Sequence, residues 1–232
     1  MWKIAIAELR SHKRRLVGTC SAIVLGVALL AGTLSLGDTM RAGFDALFTE
    51  ANADTDVVVR GAQSMGSEET ATRNAIPADV LARVGGARGV ALAAPQVTGT
   101  GQILAADGTP LGGDGPPTLA YSWVPDPQLN PMRIREGRAP EGPGEAVIDA
   151  RSARDGGLGV GDTTSILVPD PVPVTVVGIA AFGAQDAMGP VTFTAFALPE
   201  AQRLLLGGTD RISNVLLAAE DGVSPEALAA EV

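Results

Sequence analysis

An uncharged run near the N-terminus constrains this chain more than any other feature. No Asp, Glu, Lys or Arg occurs between Arg15 and Asp38, and the residues from Leu16 to Leu36 are apolar or small. A helix of this length rises roughly 30 Å, which matches the hydrocarbon core of a bilayer. The sequence therefore predicts a single transmembrane helix over 16–37, bounded by Leu16 and Leu36. Helical spacing of apolar residues predicts that the helix continues to about residue 50.

Two other structures fit this run less well. A buried core helix rarely extends so far without a charged residue. A cleaved signal peptide shares the basic head and a small-residue site at 35–37, but its apolar region spans only about 7–15 residues. A retained membrane anchor is therefore expected, and a cleaved signal peptide is the alternative.

Charge is distributed unevenly on the two sides of the run. The net charge is −9, yet residues 1–15 carry five basic side chains and one acidic one. Basic residues mark the cytoplasmic flank of a membrane helix, so Lys13, Arg14 and Arg15 determine the predicted topology. Residues 1–15 then form a basic amphipathic head in the cytoplasm, and residues 38–232 lie outside the plasma membrane.

Small residues recur every four positions along the predicted span, at Gly18, Ala22 and Gly26. This spacing places them on one helix face, where a second membrane helix can approach closely. The three residues are therefore a candidate helix-packing face. A chain this rich in glycine and alanine also produces such stripes without any partner, and that alternative stays open.

Residues 51–232 alternate short strands and short helices, which predicts an extracytoplasmic α+β domain with mixed, largely antiparallel strands. Strands are expected over 55–60, 90–105 with a break at Pro95, 118–124, 145–149, 163–168, 172–180, 191–197 and 212–219. Helices are expected over 77–84, 150–155, 199–206 and 224–232. Pro77, Pro199 and Pro225 fit first helical positions, with Ser224 as an N-cap. Because the last helix reaches Val232, we expect the domain to be truncated there, with a natural frayed end as the alternative.

Several kinds of chemistry are excluded by what the sequence lacks. One histidine and one cysteine allow neither a histidine-rich metal site nor an internal disulfide. The phosphate-loop pattern is absent, and the acidic body lacks the basic surface that nucleic acid requires. We therefore expect no catalytic, cofactor-binding or metal-binding residues, no cofactor and no enzymatic activity.

Short motifs in a fixed order give the sequence a family resemblance. They read WKIAIAELR at 2–10, KRRL at 13–16, GVALLAG at 26–32, REGRAP at 135–140, GEAVID at 144–149, GVGDT at 159–163 and VTVVGI at 174–179. Together they resemble the N-terminal span and periplasmic core domain of FtsX/MacB-type ABC transporter permeases. Within the outer motifs, glycines predict turns and apolar runs predict buried strands, so their residues are expected to be structural.

The resemblance implies more than the residues do alone. It implies an ABC ATPase partner reached through parts of the permease that this sequence lacks, a second permease copy or half, and a surrounding lipid bilayer. It also implies that ATP-driven motion passes to the outer domain in export or envelope-related transport. The alternative is a single-span, membrane-anchored binding domain outside the cell. A secreted enzyme has the least support.

Overall fold

The structure is a computed structural model that describes residues 18, 21–35, 37, 55–65, 72–112, 117–183, 186, 191–208 and 210–232. The chain divides into two compact units, Met1–Thr49 and Glu50–Val232. In the first unit, residues 21–35 are helical and exposed. Across the part of the chain that the structure describes, no helix combines the length and apolarity needed to cross a bilayer.

The second unit contains fifteen strands within the described residues. They are β1 Val57–Arg60, β2 Gln63–Met65, β3 Thr72–Arg73, β4 Ile76–Pro77, β5 Val90–Gln96, β6 Thr98–Thr100, β7 Gln102–Ile103, β8 Thr118–Ser122, β9 Met132–Gly137, β10 Glu145–Asp149, β11 Thr163–Val168, β12 Asp170–Phe182, β13 Thr192–Phe196, β14 Arg211–Ile212 and β15 Asn214–Ala219. Its described helices are α1 Val80–Gly85, α2 Ala150–Gly156, α3 Leu198–Leu206 and α4 Pro225–Glu231.

Two sheets organise this unit. The larger has eight strands in the order β6-β8-β13-β10-β12-β11-β7, and β9 also pairs with β12. The smaller has the order β1-β15-β5, and two further pairs join β4 to β14 and β2 to β3. Pairing is parallel for β10 with β12 and for β8 with β13, and antiparallel in the other ladders. This confirms the expected α+β fold with mixed, largely antiparallel strands.

One hydrophobic core runs through both sheets. Ala120 and Ile166 contribute from the eight-stranded sheet, and Val215 and Leu217 from the three-stranded sheet. Helix residues such as Leu228 complete the same cluster. Strand β15 is buried on both faces, because its alternate residues pack on a second cluster formed with the loop after β8. Burial on both faces explains its continuous apolar sequence.

The elements correct several expectations. Pro95 does not interrupt its strand: β5 runs through it, paired with Val215, and the break falls at Val97. A proline is tolerated in β5 because β15 is its one ladder partner among the described residues. Pro77 does not begin a helix but lies in β4 opposite Arg211, and α1 starts at Val80.

The remaining helix starts are close to those expected. Pro199 occupies the second position of α3, since the N-cap is Ala197. Ser224 caps α4 as predicted, because its Oγ accepts a hydrogen bond of 3.2 Å from the backbone N–H of Ala227. Pro225 follows it at the first helical position.

Candidate functional site

The four outer motifs meet along the middle of β12, and we call residues 135–140, 144–149, 159–163 and 174–179 the motif junction. Strand β9 places Gly137 opposite Gly178, and β10 places Glu145 opposite Thr175. The turn before β11 also contacts β12, because the Gly161 N–H donates a hydrogen bond to the Val176 carbonyl at 2.8 Å. Segments far apart in sequence therefore form one hydrogen-bonded unit.

Two glycines allow β9 and β12 to approach closely at this junction. A Cβ at Gly137 would lie 2.2 Å from the Val177 carbonyl oxygen, and one at Gly178 would lie 2.3 Å from the Arg138 carbonyl oxygen. Real Cβ atoms do not approach backbone so closely, so neither position accepts a side chain without movement. Gly137 also has a φ of 74°, which glycine adopts without strain. The sequence assigned Gly137 to a turn, whereas it ends a strand.

An ion pair closes the loop between β9 and β10. The Arg138 guanidinium contacts both carboxylate oxygens of Glu145, one of them at 2.9 Å. The same carboxylate accepts backbone hydrogen bonds from Glu141 at 2.8 Å and Gly142 at 3.1 Å. The Arg138 guanidinium and these N–H groups lower the pKa of Glu145 to about 2. Glu145 therefore stays ionised and holds the loop closed at neutral pH.

Helix α3 fixes the same loop from outside the junction. Glu200 is only 5% exposed and accepts a 3.3 Å hydrogen bond from the Gly144 N–H. Its carboxylate also accepts from Arg203 Nε at 2.9 Å. Chiefly through the Arg203 hydrogen bond, the pKa of Glu200 is held below its usual value. Charge pairing on one turn of α3 thus positions the start of β10.

Asp149 ends the junction as a fully buried carboxylate. It caps α2, accepting from the Ser152 N–H at 2.7 Å and the Ser152 hydroxyl at 2.6 Å. It also accepts from the Phe193 N–H of β13 at 3.0 Å. Burial raises the pKa of Asp149, and the three hydrogen bonds oppose that rise. One side chain therefore ties α2 to two strands of the eight-stranded sheet.

The side chains of the motif junction hold backbone segments in place, and few of the described buried polar groups lack a hydrogen-bond partner. Within the described residues, no three His, Cys, Asp or Glu side chains cluster as metal ligands. Thr192 Oγ1 is the one buried side-chain polar atom of the described chain that has no hydrogen-bond partner. The carboxylates of Glu145, Asp149 and Glu200 each accept hydrogen bonds from the donors given above. These side chains therefore orient the strands of the junction, the loop between β9 and β10, and helix α2.

The sequence-predicted site residues lie elsewhere. Gly18, Ala22 and Gly26 are exposed helical residues of the first unit. A Cβ added at Gly18 or Gly26 would meet nothing within 4 Å. Five other predicted positions lie outside the described residues, as does the extension from 38 to 50: Lys13, Arg14, Arg15, Leu16 and Leu36. Their assignment stays a prediction.

Sequence reasoning missed the side chains that hold the junction. Asp149 precedes Ser152 by three residues at the start of a helix, a pattern that signals an N-cap. Glu200 and Arg203 have the i,i+3 spacing of a helical ion pair. The contact from Glu200 to Gly144 had no local signal, because it joins distant parts of the chain.

The fold defines an α+β domain with a mixed eight-stranded sheet and a second, smaller sheet. The chain belongs to the family of MacB-like periplasmic core domains, whose model matches residues 16–232. Membership of this family supports an extracytoplasmic domain of an ABC transporter permease, the class that the sequence motifs indicated.

Two solved structures are similar to this chain at low sequence identity. The periplasmic region of MacB from Actinobacillus actinomycetemcomitans is 10% identical, with a TM-score of 0.51 and coverage of 75% of this chain and 79% of that one. The extracellular domain of the noncanonic ABC-type transporter YknZ from Gram-positive bacteria is 14% identical, with a TM-score of 0.45 and coverage of 72% and 85%. No curated protein sequence matches this chain significantly.

Proposed function

We propose that this chain is the N-terminal portion of an ABC transporter permease subunit that couples ATPase-driven motion to an extracytoplasmic domain. One observation carries the proposal: the family match spans residues 16–232, so it includes the uncharged run as well as the folded domain. A membrane helix and an outer domain in one family unit are what a force-transmitting permease segment requires.

The chemistry of the described domain supports a mechanical role. The buried carboxylates Asp149 and Glu200 accept hydrogen bonds from backbone groups that they hold in place. One apolar core joins the two sheets, so displacement of one sheet is passed to the other. Such a body transmits motion without performing bond chemistry.

The proposed partners follow from this role. An ABC ATPase subunit supplies the motion, a second permease copy or half completes the assembly, and the bilayer surrounds residues 16–37. The N-terminus lies in the cytoplasm and residues 38–232 lie outside the plasma membrane, because Lys13, Arg14 and Arg15 flank one end of the run.

Cysteine labelling in intact cells tests this topology. Cys20 is the single cysteine, so Cys20→Ser gives a cysteine-free background for Ser11→Cys and Asp107→Cys. Asp107 is exposed in the turn between β7 and β8. A membrane-impermeant maleimide is expected to label Asp107→Cys alone, and Ser11→Cys only after the cells are lysed. Labelling of Ser11→Cys in intact cells would contradict the topology.

Co-purification tests the transporter assignment. The gene product containing this chain, tagged and extracted in detergent, is expected to retain an ABC ATPase whose ATP hydrolysis persists in nanodiscs. If correct topology is found but no ATPase associates with the protein, the membrane-anchored binding domain becomes the better assignment.

A further inference from the structure

The chain passes directly from the three-stranded sheet to the eight-stranded sheet at Gln96–Thr98, which we call the crossover. Gln96 is the last residue of β5 and Thr98 the first of β6, so Val97 alone separates the two sheets. Val97 is 0% exposed. A single buried residue between two sheets leaves little length for a flexible hinge.

Ser122, the last residue of β8, holds the crossover from the eight-stranded sheet. The Val97 N–H donates to Ser122 Oγ at 2.9 Å, and the Ser122 N–H donates to the Val97 carbonyl at 2.9 Å. Ser122 is itself only 3% exposed. Both backbone polar groups of Val97 are therefore satisfied by one residue of β8.

Ser213, between β14 and β15, holds the crossover from the other side. The Thr98 N–H donates to Ser213 Oγ at 3.0 Å, and the Ser213 N–H donates to the Gln96 carbonyl at 2.9 Å. The Asn214 side chain adds a 3.1 Å hydrogen bond to the Gln96 side chain. Each residue of the crossover is therefore hydrogen-bonded to Ser122, Ser213 or Asn214.

The surroundings of Val97 belong to both sheets. It lies in the same core cluster as Ala120 and Phe196 of the eight-stranded sheet and Val215 of the three-stranded sheet, all 0% exposed. Close-packed interiors deform little, so packing opposes rotation about the crossover as the hydrogen bonds do.

We propose that the crossover is a locked joint in which Ser122 and Ser213 are positioning residues that make the two sheets move as one body. The lock stands on the geometry of residues 96–98. Its use in carrying ATP-driven displacement from β1, the first strand in the chain, to the eight-stranded sheet rests on the proposed function.

Amide exchange tests the hydrogen bonds of the lock. In the intact protein, Ser122→Ala removes the acceptor of the buried Val97 N–H, and exchange at Val97 is expected to accelerate about tenfold or more. Ser213→Ala is expected to do the same at Thr98, and Ser213→Thr, which keeps a hydroxyl, to restore slow exchange. Unchanged exchange in both alanine variants overturns the lock.

Spin-label distances test whether the lock joins the sheets. Labels at the exposed positions Ala91→Cys in β5 and Thr163→Cys in β11, in the Cys20→Ser background, report the distance between sheets. Ser122→Ala with Ser213→Ala is expected to broaden the distance distribution. Thr164→Val is the matched control, because it removes a 2.6 Å hydroxyl–carbonyl hydrogen bond that lies away from the crossover. A narrow distribution in the double variant, or equal broadening in the control, overturns the proposal.

The amide-exchange and spin-label measurements need no nucleotide, so they test the joint independently of its proposed role in coupling. In the ATPase complex, ATP is expected to leave the spin-label distance unchanged in the unaltered protein and in Thr164→Val, because the locked sheets move together. In the double variant, which is expected to retain ATP hydrolysis, ATP is expected to change this distance. An ATP-dependent change in the unaltered protein overturns the lock. If exchange and the nucleotide-free distances behave as expected but ATP does not change the distance in the double variant, the joint stands and the proposed coupling function fails.

Discussion

Asp149 shows how much of this fold depends on a single side chain. Its carboxylate is fully buried and receives three hydrogen bonds, from two groups of Ser152 and from Phe193. A buried acceptor with several donors is costly to remove, because each donor left behind has lost its solvent and its partner. At the residue scale, the junction therefore depends on satisfaction of buried polar groups.

Replacing Asp149 by alanine is expected to destabilise the domain by about 3 kcal/mol, since it leaves two buried N–H groups without an acceptor. Ser224→Ala is the control, because it removes an exposed cap of α4 and should cost about 1 kcal/mol. Urea unfolding of the detergent-solubilised protein, followed by circular dichroism, measures both. Equal losses in the two variants would show that burial of the Asp149 cap contributes nothing extra.

Glu145 gives the domain a pH dependence of defined sign. Its pKa is lowered from 4.5 to about 2, mainly by the Arg138 hydrogen bond, so the folded state favours the ionised carboxylate. Its contribution to stability is complete above about pH 4.5 and is lost as the pH falls toward 2. Glu145→Gln is therefore expected to lower Tm at pH 6 and to converge with the unaltered protein near pH 2. A Tm difference that stays constant over this range would contradict the ion-pair assignment.

Elements with clear patterns could be predicted from the sequence, and elements without them could not. The strands β10 and β11 match the expected ranges, because their apolar runs are bounded by turn residues. Strand β9 was missed, since its exposed Arg133 and Arg135 break the apolar pattern. Two-residue strands such as β4 and β14 carry no periodicity at all; long-range pairing alone defines them.

Gly137 and Gly144 allow two effects of glycine beside a strand to be compared: a positive φ and the close approach of a neighbouring backbone. Both have positive φ, at 74° and 71°, but a Cβ at Gly137 would meet the Val177 carbonyl, whereas one at Gly144 would meet nothing within 4 Å. Gly137→Ala is expected to cost about 3 kcal/mol and Gly144→Ala about 1 kcal/mol. The urea midpoints of the two variants measure the difference, and similar midpoints would mean that β9 and β12 separate easily.

At the scale of the whole molecule, the shared core predicts one unfolding transition for residues 55–232. Leu217 is fully buried in the core that both sheets build, so Leu217→Ala should destabilise the domain by about 3 kcal/mol. Protection of the β10 amides from hydrogen exchange should fall together with that of the β15 amides, although the substitution lies in the three-stranded sheet. Loss of protection confined to β15 and its neighbours would show that the two sheets unfold separately.

The paired strands β2 and β3 lie between β1, at the edge of the three-stranded sheet, and β4, which pairs with β14 outside that sheet. Strand β1 ends with Arg60 opposite Asn214, and β4 pairs Ile76 with Ile212, so the end of β1 and the start of β4 both lie beside the short segment 212–214. The Asn74 N–H donates a hydrogen bond to the Ala62 carbonyl at 3.4 Å, which joins the residue before β2 to the residue after β3. Because β1 and β4 are each paired with a partner strand of their own, a change of length between β2 and β3 is expected to leave the register of β1 and β4 unchanged, so an epitope can be inserted there.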